Sequence, residues 1–144
     1  MNYQFVQYEK RDKLAYITIN SPERHNALHP PANKELLHIF RDFSEDSNVW
    51  IAIITGNGDR SFCAGNDLKY TAESSRGDHA AERFAPVPGG FGGITADFDC
   101  WKPMIAAVNG FAMGLGMGIA LSCDIRIGSQ NARMAETFIR RGLI

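Results

Sequence analysis

Residues 102–122 have the sequence KPMIAAVNGFAMGLGMGIALS, and this stretch decides the fold class. Residues 104–108 form a short apolar run, which predicts a buried strand. The glycine-rich residues 109–118 follow as a turn, and the pattern then favours a helix to about Ser122. A further strand is predicted at residues 124–127. A strand, a turn and a helix in this order indicate an α/β fold.

The rest of the chain continues this alternation of strands and helices. Strands are predicted at residues 5–9, 14–19 and 49–55, with a polar turn at residues 10–13, and a helix at residues 32–45. Four apolar side chains form one stripe of this helix: Leu36, Leu37, Phe40 and Phe43. Residues 74–97 are predicted as a mobile loop with one short helix around residues 78–84. The alternation predicts a sheet with largely parallel pairing.

Length, charge and cysteine content limit the class of protein. The chain has 144 residues, which fits one domain, and its net charge of -1 indicates neither nucleic acid nor an anionic membrane as a partner. The first ten residues lack the apolar segment of a signal peptide. The cysteines Cys63, Cys100 and Cys123 lack metal-ligand spacing, which indicates free thiols in a reducing compartment. We therefore expect a cytoplasmic protein without a metal site.

Two turns carry the chemical interpretation. Residues 61–69, SFCAGNDLK, follow a predicted buried strand, and residues 109–118 precede a predicted helix. Small residues let a ligand approach the main chain closely, and unpaired N–H groups at the start of a helix are donors for an oxyanion. The alternative is that the glycines only permit tight turns. The spacing Gly114-x-Gly116-x-Gly118 differs from the dinucleotide-binding pattern, and no Gly-Lys-Ser/Thr follows for a P-loop.

Four segments together resemble the enoyl-CoA hydratase/isomerase (crotonase) family. They are PERHNAL at residues 22–28, FCAGNDLK at residues 62–69, KPMIAAVNGFA at residues 102–112 and ALSCDIRI at residues 120–127. The resemblance covers essentially the whole chain and is weakest at residues 74–97. It implies a crotonase-like spiral of ββα units that binds acyl-CoA thioesters.

The resemblance also implies which residues form the site. The backbone N–H groups of Asn66 and Leu115 correspond to the family's oxyanion hole, which stabilises the enolate of a thioester. Contacts to coenzyme A, expected as part of the substrate and not as a tightly bound cofactor, are implied for Arg24, Ala27, Ala64, Asn66, Asp67, Leu68, Lys69, Gly114 and Leu115. For Arg24 and Lys69 the alternative is a solvated surface charge.

The chain departs from the family at the two catalytic glutamates. Gly118 and Phe138 occupy those positions, and neither side chain can transfer a proton. Glu136 is the nearest replacement in the sequence, although a solvated or capping carboxylate is the alternative interpretation; His25 and His79 are weaker candidates. Two hypotheses follow: an enzyme of the hydratase/isomerase type with non-standard proton-transfer groups, or a non-catalytic acyl-CoA-binding or assembly protein.

The resemblance finally predicts a longer functional unit. Residues 1–144 are expected to form a single spiral core domain that is incomplete, because family members continue into a carboxy-terminal helical part after the position of Ile144. Each turn of a spiral buries its apolar face against the next, so residues 138–144 are expected to lose partners here. A homotrimer, or a hexamer of paired trimers, is expected for the full-length protein.

Overall fold

The computed structural model describes residues 2–74 and 88–142, and the elements given below belong to that part of the chain. The strands are β1 Val6–Arg11, β2 Leu14–Ile19, β3 Ile51–Gly56, β4 Ser61–Cys63, β5 Met104–Val108, β6 Phe111–Met113, β7 Ile125–Gly128 and β8 Arg133–Ala135. The α-helices are α1 Pro30–Glu45, α2 Leu68–Ser74 and α3 Leu115–Ser122, and short 3-10 helices lie at Pro22–Arg24, Phe91–Gly93 and Phe138–Arg141. None of these helices is long and apolar enough to cross a lipid bilayer.

The strands form two sheets. The larger sheet has the order β1-β2-β3-β5-β7, in which only β1 and β2 pair antiparallel, and the smaller sheet is β4-β6-β8 with parallel pairs. From β3 onward, each strand of the larger sheet is followed by one of the smaller sheet, and a helix follows β4 and β6. This repeat is the predicted spiral of ββα units, and the largely parallel pairing is confirmed.

Helix α1 covers the core, with a stripe that differs by one residue from the predicted one. Leu36, Ile39, Phe40 and Phe43 are fully buried, whereas Leu37 is only half-buried. The buried positions follow the spacing i, i+3, i+4 and i+7 of a helix with one apolar face. These side chains belong to the same core cluster as the buried side chains of β2, which are Ala15, Ile17 and Ile19.

Several boundaries of the predicted elements are wrong by one or two residues, and helix α3 begins at Leu115, within the predicted turn at residues 109–118. Strand β1 extends through Arg11, so the polar turn contains only residues 12 and 13. Helix α1 begins at Pro30, because the side chain of His29 accepts a hydrogen bond from the N–H group of Ala32 and caps the first turn. A proline is well tolerated at that first position. The short helix expected at residues 78–84 lies outside the described residues.

Strands β4, β6 and β8 were not among the predicted elements. Each contains three residues, so none shows the alternation that marks a strand. These strands form by pairing with segments that lie far along the chain. Ser61 pairs with Phe111, and Phe111 pairs with Arg133. The two turns at residues 61–69 and 109–118 are thereby brought side by side, because β4 lies within the first and β6 within the second.

Helix α3 packs directly on the end of β4. A Cβ atom at Gly116 would overlap the carbonyl oxygen of Cys63, so the helix backbone touches the strand backbone there. Two residues later in the same helix, a Cβ atom at Gly118 would meet only Cγ2 of Thr95, at an ordinary 3.8 Å. Gly116 is therefore required by packing, whereas Gly118 is not.

We expect Gly116→Ala to lower the free energy of unfolding by about 2 kcal/mol or more, because the new methyl group forces β4 and α3 apart. Gly118→Ala is the matched control, and it should leave the stability unchanged or raise it by up to about 1 kcal/mol, since alanine favours a helix over glycine. Urea denaturation monitored by circular dichroism measures both. Equal stabilities of the two variants would contradict the close approach of α3 to β4.

Candidate functional site

The two turns touch each other at Gly65. This residue has a φ of +90°, which favours glycine. A Cβ atom there would lie 2.8 Å from the carbonyl oxygen of Met113 and 3.5 Å from the backbone nitrogen of Leu115. The chain can therefore pass beside the start of α3 only without a side chain at this position. As a result, the next residue, Asn66, lies close to the backbone of Leu115.

Hydrogen bonds on either side of Asn66 fix its orientation. Leu28 forms an isolated parallel bridge with Asn66, in which the N–H of Leu28 donates to the oxygen of Gly65 at 2.8 Å. The N–H of Asp67 donates to the oxygen of Leu28, also at 2.8 Å. In such a bridge the residues before and after Asn66 face Leu28, so the N–H of Asn66 points away from it.

The N–H groups of Asn66 and Leu115 are both available as donors. Leu115 is the first residue of α3, so its N–H has no partner within the helix. Within residues 2–74 and 88–142, neither N–H has a hydrogen-bond acceptor. The start of a helix also carries a partial positive charge, which favours an anion beside Leu115. Two neighbouring unpaired donors can bind one oxygen that develops negative charge.

These donors belong to residues that line a cavity of about 610 Å³. The lining consists of Ala64, Gly65, Asn66, Leu68, Met113, Gly114, Leu115, Thr137, Phe138 and Arg140. Five of the residues expected from the sequence are thus brought together: Ala64, Asn66, Leu68, Gly114 and Leu115. Five others lie outside this lining: Arg24, Ala27, Asp67, Lys69 and Glu136.

Arg24 and Asp67 interact with each other next to the cavity. Nη1 of Arg24 lies 3.2 Å from Oδ2 of Asp67, whose side chain is almost completely buried. Oδ1 of Asp67 also accepts hydrogen bonds from the N–H groups of Lys69 and Tyr70, at 3.0 and 2.9 Å. Asp67 therefore caps α2 and anchors the loop that carries Arg24. An aspartate just before a helix is a recognisable sequence signal for this role.

Besides the two turns, the cavity is lined by the 3-10 helix Phe138–Arg141 and by Thr137, the residue before it. A Cβ atom at Gly114 would lie 3.5 Å from both Cε1 of Phe138 and Oγ1 of Thr137, so this segment packs against the turn before α3. Glu136 precedes the segment and is exposed. The structure therefore does not bring the Glu136 carboxylate to the cavity, whereas the ring of Phe138 lines it.

Met113, Thr137 and Arg140 line the cavity but were not singled out from the sequence. Thr137 and Arg140 lie about 70 residues from the first turn along the chain, as their numbers show, and they reach it through the pairing of β8 with β6. No local pattern predicts that pairing. Met113 is the last residue of β6, and an apolar residue in a glycine-rich turn has no distinctive signal.

The cysteine within the first turn, Cys63, is not a nucleophile. Cys63 is fully buried, and the loss of solvation raises the pKa of its thiol to about 12. The thiol is therefore neutral at physiological pH, and a neutral thiol is a poor nucleophile. Within the described part of the chain, no group of three or more His, Cys, Asp or Glu side chains could hold a metal ion.

The sequence is similar to those of known proteins over most of its length. Residues 9–144 match the family model for enoyl-CoA hydratase/isomerase. The chain is 36% identical to the (E)-benzylidenesuccinyl-CoA hydratase of Thauera aromatica, over 94% of this chain and 51% of that protein. It is 38% identical to the short-chain-enoyl-CoA hydratase of Clostridium acetobutylicum, over 99% of this chain and 53% of that protein.

Solved structures show the same relationship. The structure of a carnitinyl-CoA hydratase from Mycobacterium avium superposes with a TM-score of 0.86 and 37% identity, covering 99% of this chain and 53% of that one. The chain thus spans about half the length of the relatives that it matches. The matched family model, the sequence identities and the shared spiral establish that the chain belongs to the enoyl-CoA hydratase/isomerase (crotonase) family.

Proposed function

We propose that this chain binds acyl-CoA thioesters and stabilises a thioester enolate with the backbone N–H groups of Asn66 and Leu115. The observation that carries the proposal is that Asn66 and Leu115 line one cavity and that neither N–H group has an acceptor in the described part of the chain. An enolate places negative charge on the thioester oxygen, and preorganised donors stabilise that charge. Loss of one such donor typically costs ~10²–10³ in rate.

Coenzyme A is proposed to lie along the first turn. Ala64, Asn66 and Leu68 line the cavity, and Lys69 is exposed at the start of α2, where its ammonium group can reach a phosphate. Arg24 keeps 36% of its side chain exposed beside Asp67, so it can pair with Asp67 and still donate to a phosphate. The remaining residues proposed for the coenzyme A site are Ala27, Asp67, Gly114 and Leu115. Asp67 contributes by holding the side chain of Arg24 in place.

The proposed reaction class is that of the family, lyase or isomerase chemistry on an acyl-CoA, but not by the usual pair of glutamates. Gly118 carries no side chain, and the ring of Phe138 lines the cavity. Within the described residues, Arg140 is the one ionisable side chain in the lining, and it carries no carboxylate that could replace a glutamate. The second candidate function, a non-catalytic acyl-CoA-binding or assembly protein, is favoured by this same observation.

Exposed apolar side chains support the proposal that the whole protein is a homotrimer or hexamer. Leu121 at the end of α3 is 52% exposed, and Ile125 and Ile127 on the edge strand β7 are 50% and 60% exposed. An apolar surface beside an unpaired strand edge favours association with another chain or segment. A cytoplasmic location is proposed because Cys63, Cys100 and Cys123 are all free thiols.

Hydration of crotonyl-CoA is expected to be ~10²–10⁴-fold slower than in a relative with both glutamates, because general acid–base catalysis typically contributes a rate factor of that size. The double variant Gly118→Glu with Phe138→Glu should raise the rate, because a Cβ atom at Gly118 meets only Thr95 within 4 Å. Gly118→Gln with Phe138→Gln is the matched control. A steady-state assay that finds ordinary hydratase rates in the unmodified chain would contradict this expectation and point to another base.

The oxyanion assignment is tested with Leu115→Pro and Leu115→Ala. Proline removes the N–H group at a position where helices tolerate it, so Leu115→Pro should lower any turnover at least ~100-fold, whereas Leu115→Ala should have a mild effect. Asn66→Ala should also be mild, because the main chain is the donor. In ¹³C NMR of carbonyl-labelled butyryl-CoA, the downfield shift on binding should be lost only in Leu115→Pro. Equal losses in both Leu115 variants, with the fold intact, would instead indicate side-chain packing.

Association of the 144-residue chain is expected in solution, because the apolar side chains of Leu121, Ile125 and Ile127 favour burial. Size-exclusion chromatography with light scattering should find species larger than a monomer. Ile127→Asp should shift the distribution toward the monomer, and Asp12→Ala, in an exposed turn, is the control. A stable monomer of the unmodified chain that binds acyl-CoA would contradict this expectation and show that these 144 residues suffice for binding without association.

A further inference from the structure

The side chain of Arg140 has no partner in the described part of the chain, although the residue lines the cavity. The ion pairs of residues 2–74 and 88–142 involve other cations, and the side chain of Arg140 takes part in none of them. It also donates none of the side-chain hydrogen bonds found in those residues. An arginine whose five N–H donors are unused, at the wall of a cavity, is available to an anionic ligand.

The side chain of Arg140 is exposed, and it shares the wall of the cavity with apolar side chains. Leu68, Met113 and Phe138 contribute this apolar surface, so Arg140 is the charged group of the lining among the described residues. The planar guanidinium matches a carboxylate through two parallel hydrogen bonds. The oxygen of a thioester, bound at the N–H group of Leu115, would occupy another part of this cavity.

The position of Arg140 along the 3-10 helix suggests which end of the ligand it meets. Phe138, two residues earlier, packs against Gly114, which directly precedes the proposed oxyanion donor Leu115. A 3-10 helix rises only ~2 Å per residue and has three residues per turn, so the backbone of Arg140 lies within one turn of the backbone of Phe138. A long pantetheine arm separates the phosphates of coenzyme A from the thioester carbonyl. Proximity to the carbonyl therefore favours the acyl group as the partner of Arg140.

We propose that Arg140 makes this site selective for acyl groups that carry a second, free carboxylate, namely the CoA thioesters of dicarboxylic acids. The inference rests on the proposed binding of acyl-CoA and names the substrate class of that site. Arginine would recognise either the free carboxylate of the acyl group or a phosphate of coenzyme A. Succinyl-CoA and butyryl-CoA both carry the phosphates, and only succinyl-CoA carries the carboxylate, so the two ligands distinguish these partners.

Isothermal titration calorimetry with succinyl-CoA and butyryl-CoA tests the proposal, because these ligands differ only in a terminal carboxylate or methyl group. The unmodified chain should bind succinyl-CoA more tightly than butyryl-CoA. Arg140→Met should weaken succinyl-CoA by about 10- to 100-fold, the range for a lost charge-assisted hydrogen bond, and leave butyryl-CoA nearly unchanged. Arg140→Lys keeps the positive charge but lacks the planar guanidinium group. Its affinity for succinyl-CoA should lie between those of the unmodified chain and Arg140→Met.

Arg60→Met is the control, since Arg60 is also exposed but is not part of this cavity. Equal weakening of succinyl-CoA, butyryl-CoA and free coenzyme A by Arg140→Met would assign the arginine to a phosphate and overturn the inference. Equal affinities of the unmodified chain for the two thioesters would overturn it too, while leaving the proposed function intact. If neither thioester bound, both the function and the inference would be wrong.

Discussion

The close approach of two backbone turns is the constraint on which the rest of the site depends. Gly65 passes beside the start of α3, and Gly116 in α3 touches the end of β4 at Cys63. A side chain at either glycine would separate the two turns. The sheet pairing of β4 with β6 brings the turns together, and the glycines let them come close enough for Asn66 and Leu115 to line one cavity.

The longer elements could be predicted from the sequence because their signals are local. Strands β2 and β5 were expected at residues 14–19 and 104–108, and both have those bounds in the structure. Their apolar residues show the pattern of a covered strand without reference to any other part of the chain. Strand β6 shows no such pattern, since it has three residues and pairs with segments that are distant in sequence. The smaller sheet therefore required the structure.

The two turns of the candidate site could be singled out from the sequence, whereas the side-chain wall of the cavity could not. The family resemblance assigned Asn66 and Leu115 as donors, and this assignment needs no particular residue type, because a backbone donor depends on turn geometry. The wall formed by residues 137–140 depends on how a single 3-10 turn is rotated, which no spacing rule sets. For this reason Glu136, close in sequence to Phe138, is exposed, while Phe138 lines the cavity. Whether Glu136 acts in catalysis stays a prediction.

Main-chain donors and side-chain groups therefore change independently in this fold. In the proposed function, binding and polarisation of a thioester require two N–H groups, and these persist when Asn66 or Leu115 is replaced by most other residues. Proton transfer requires particular side chains, and the positions that the family resemblance assigns to them hold Gly118 and Phe138. Arg140 adds a charge to the same cavity from a segment that makes no contribution to the donors. In the proposed function, affinity for a thioester can thus be kept while the groups that choose the acyl chain and the reaction diverge.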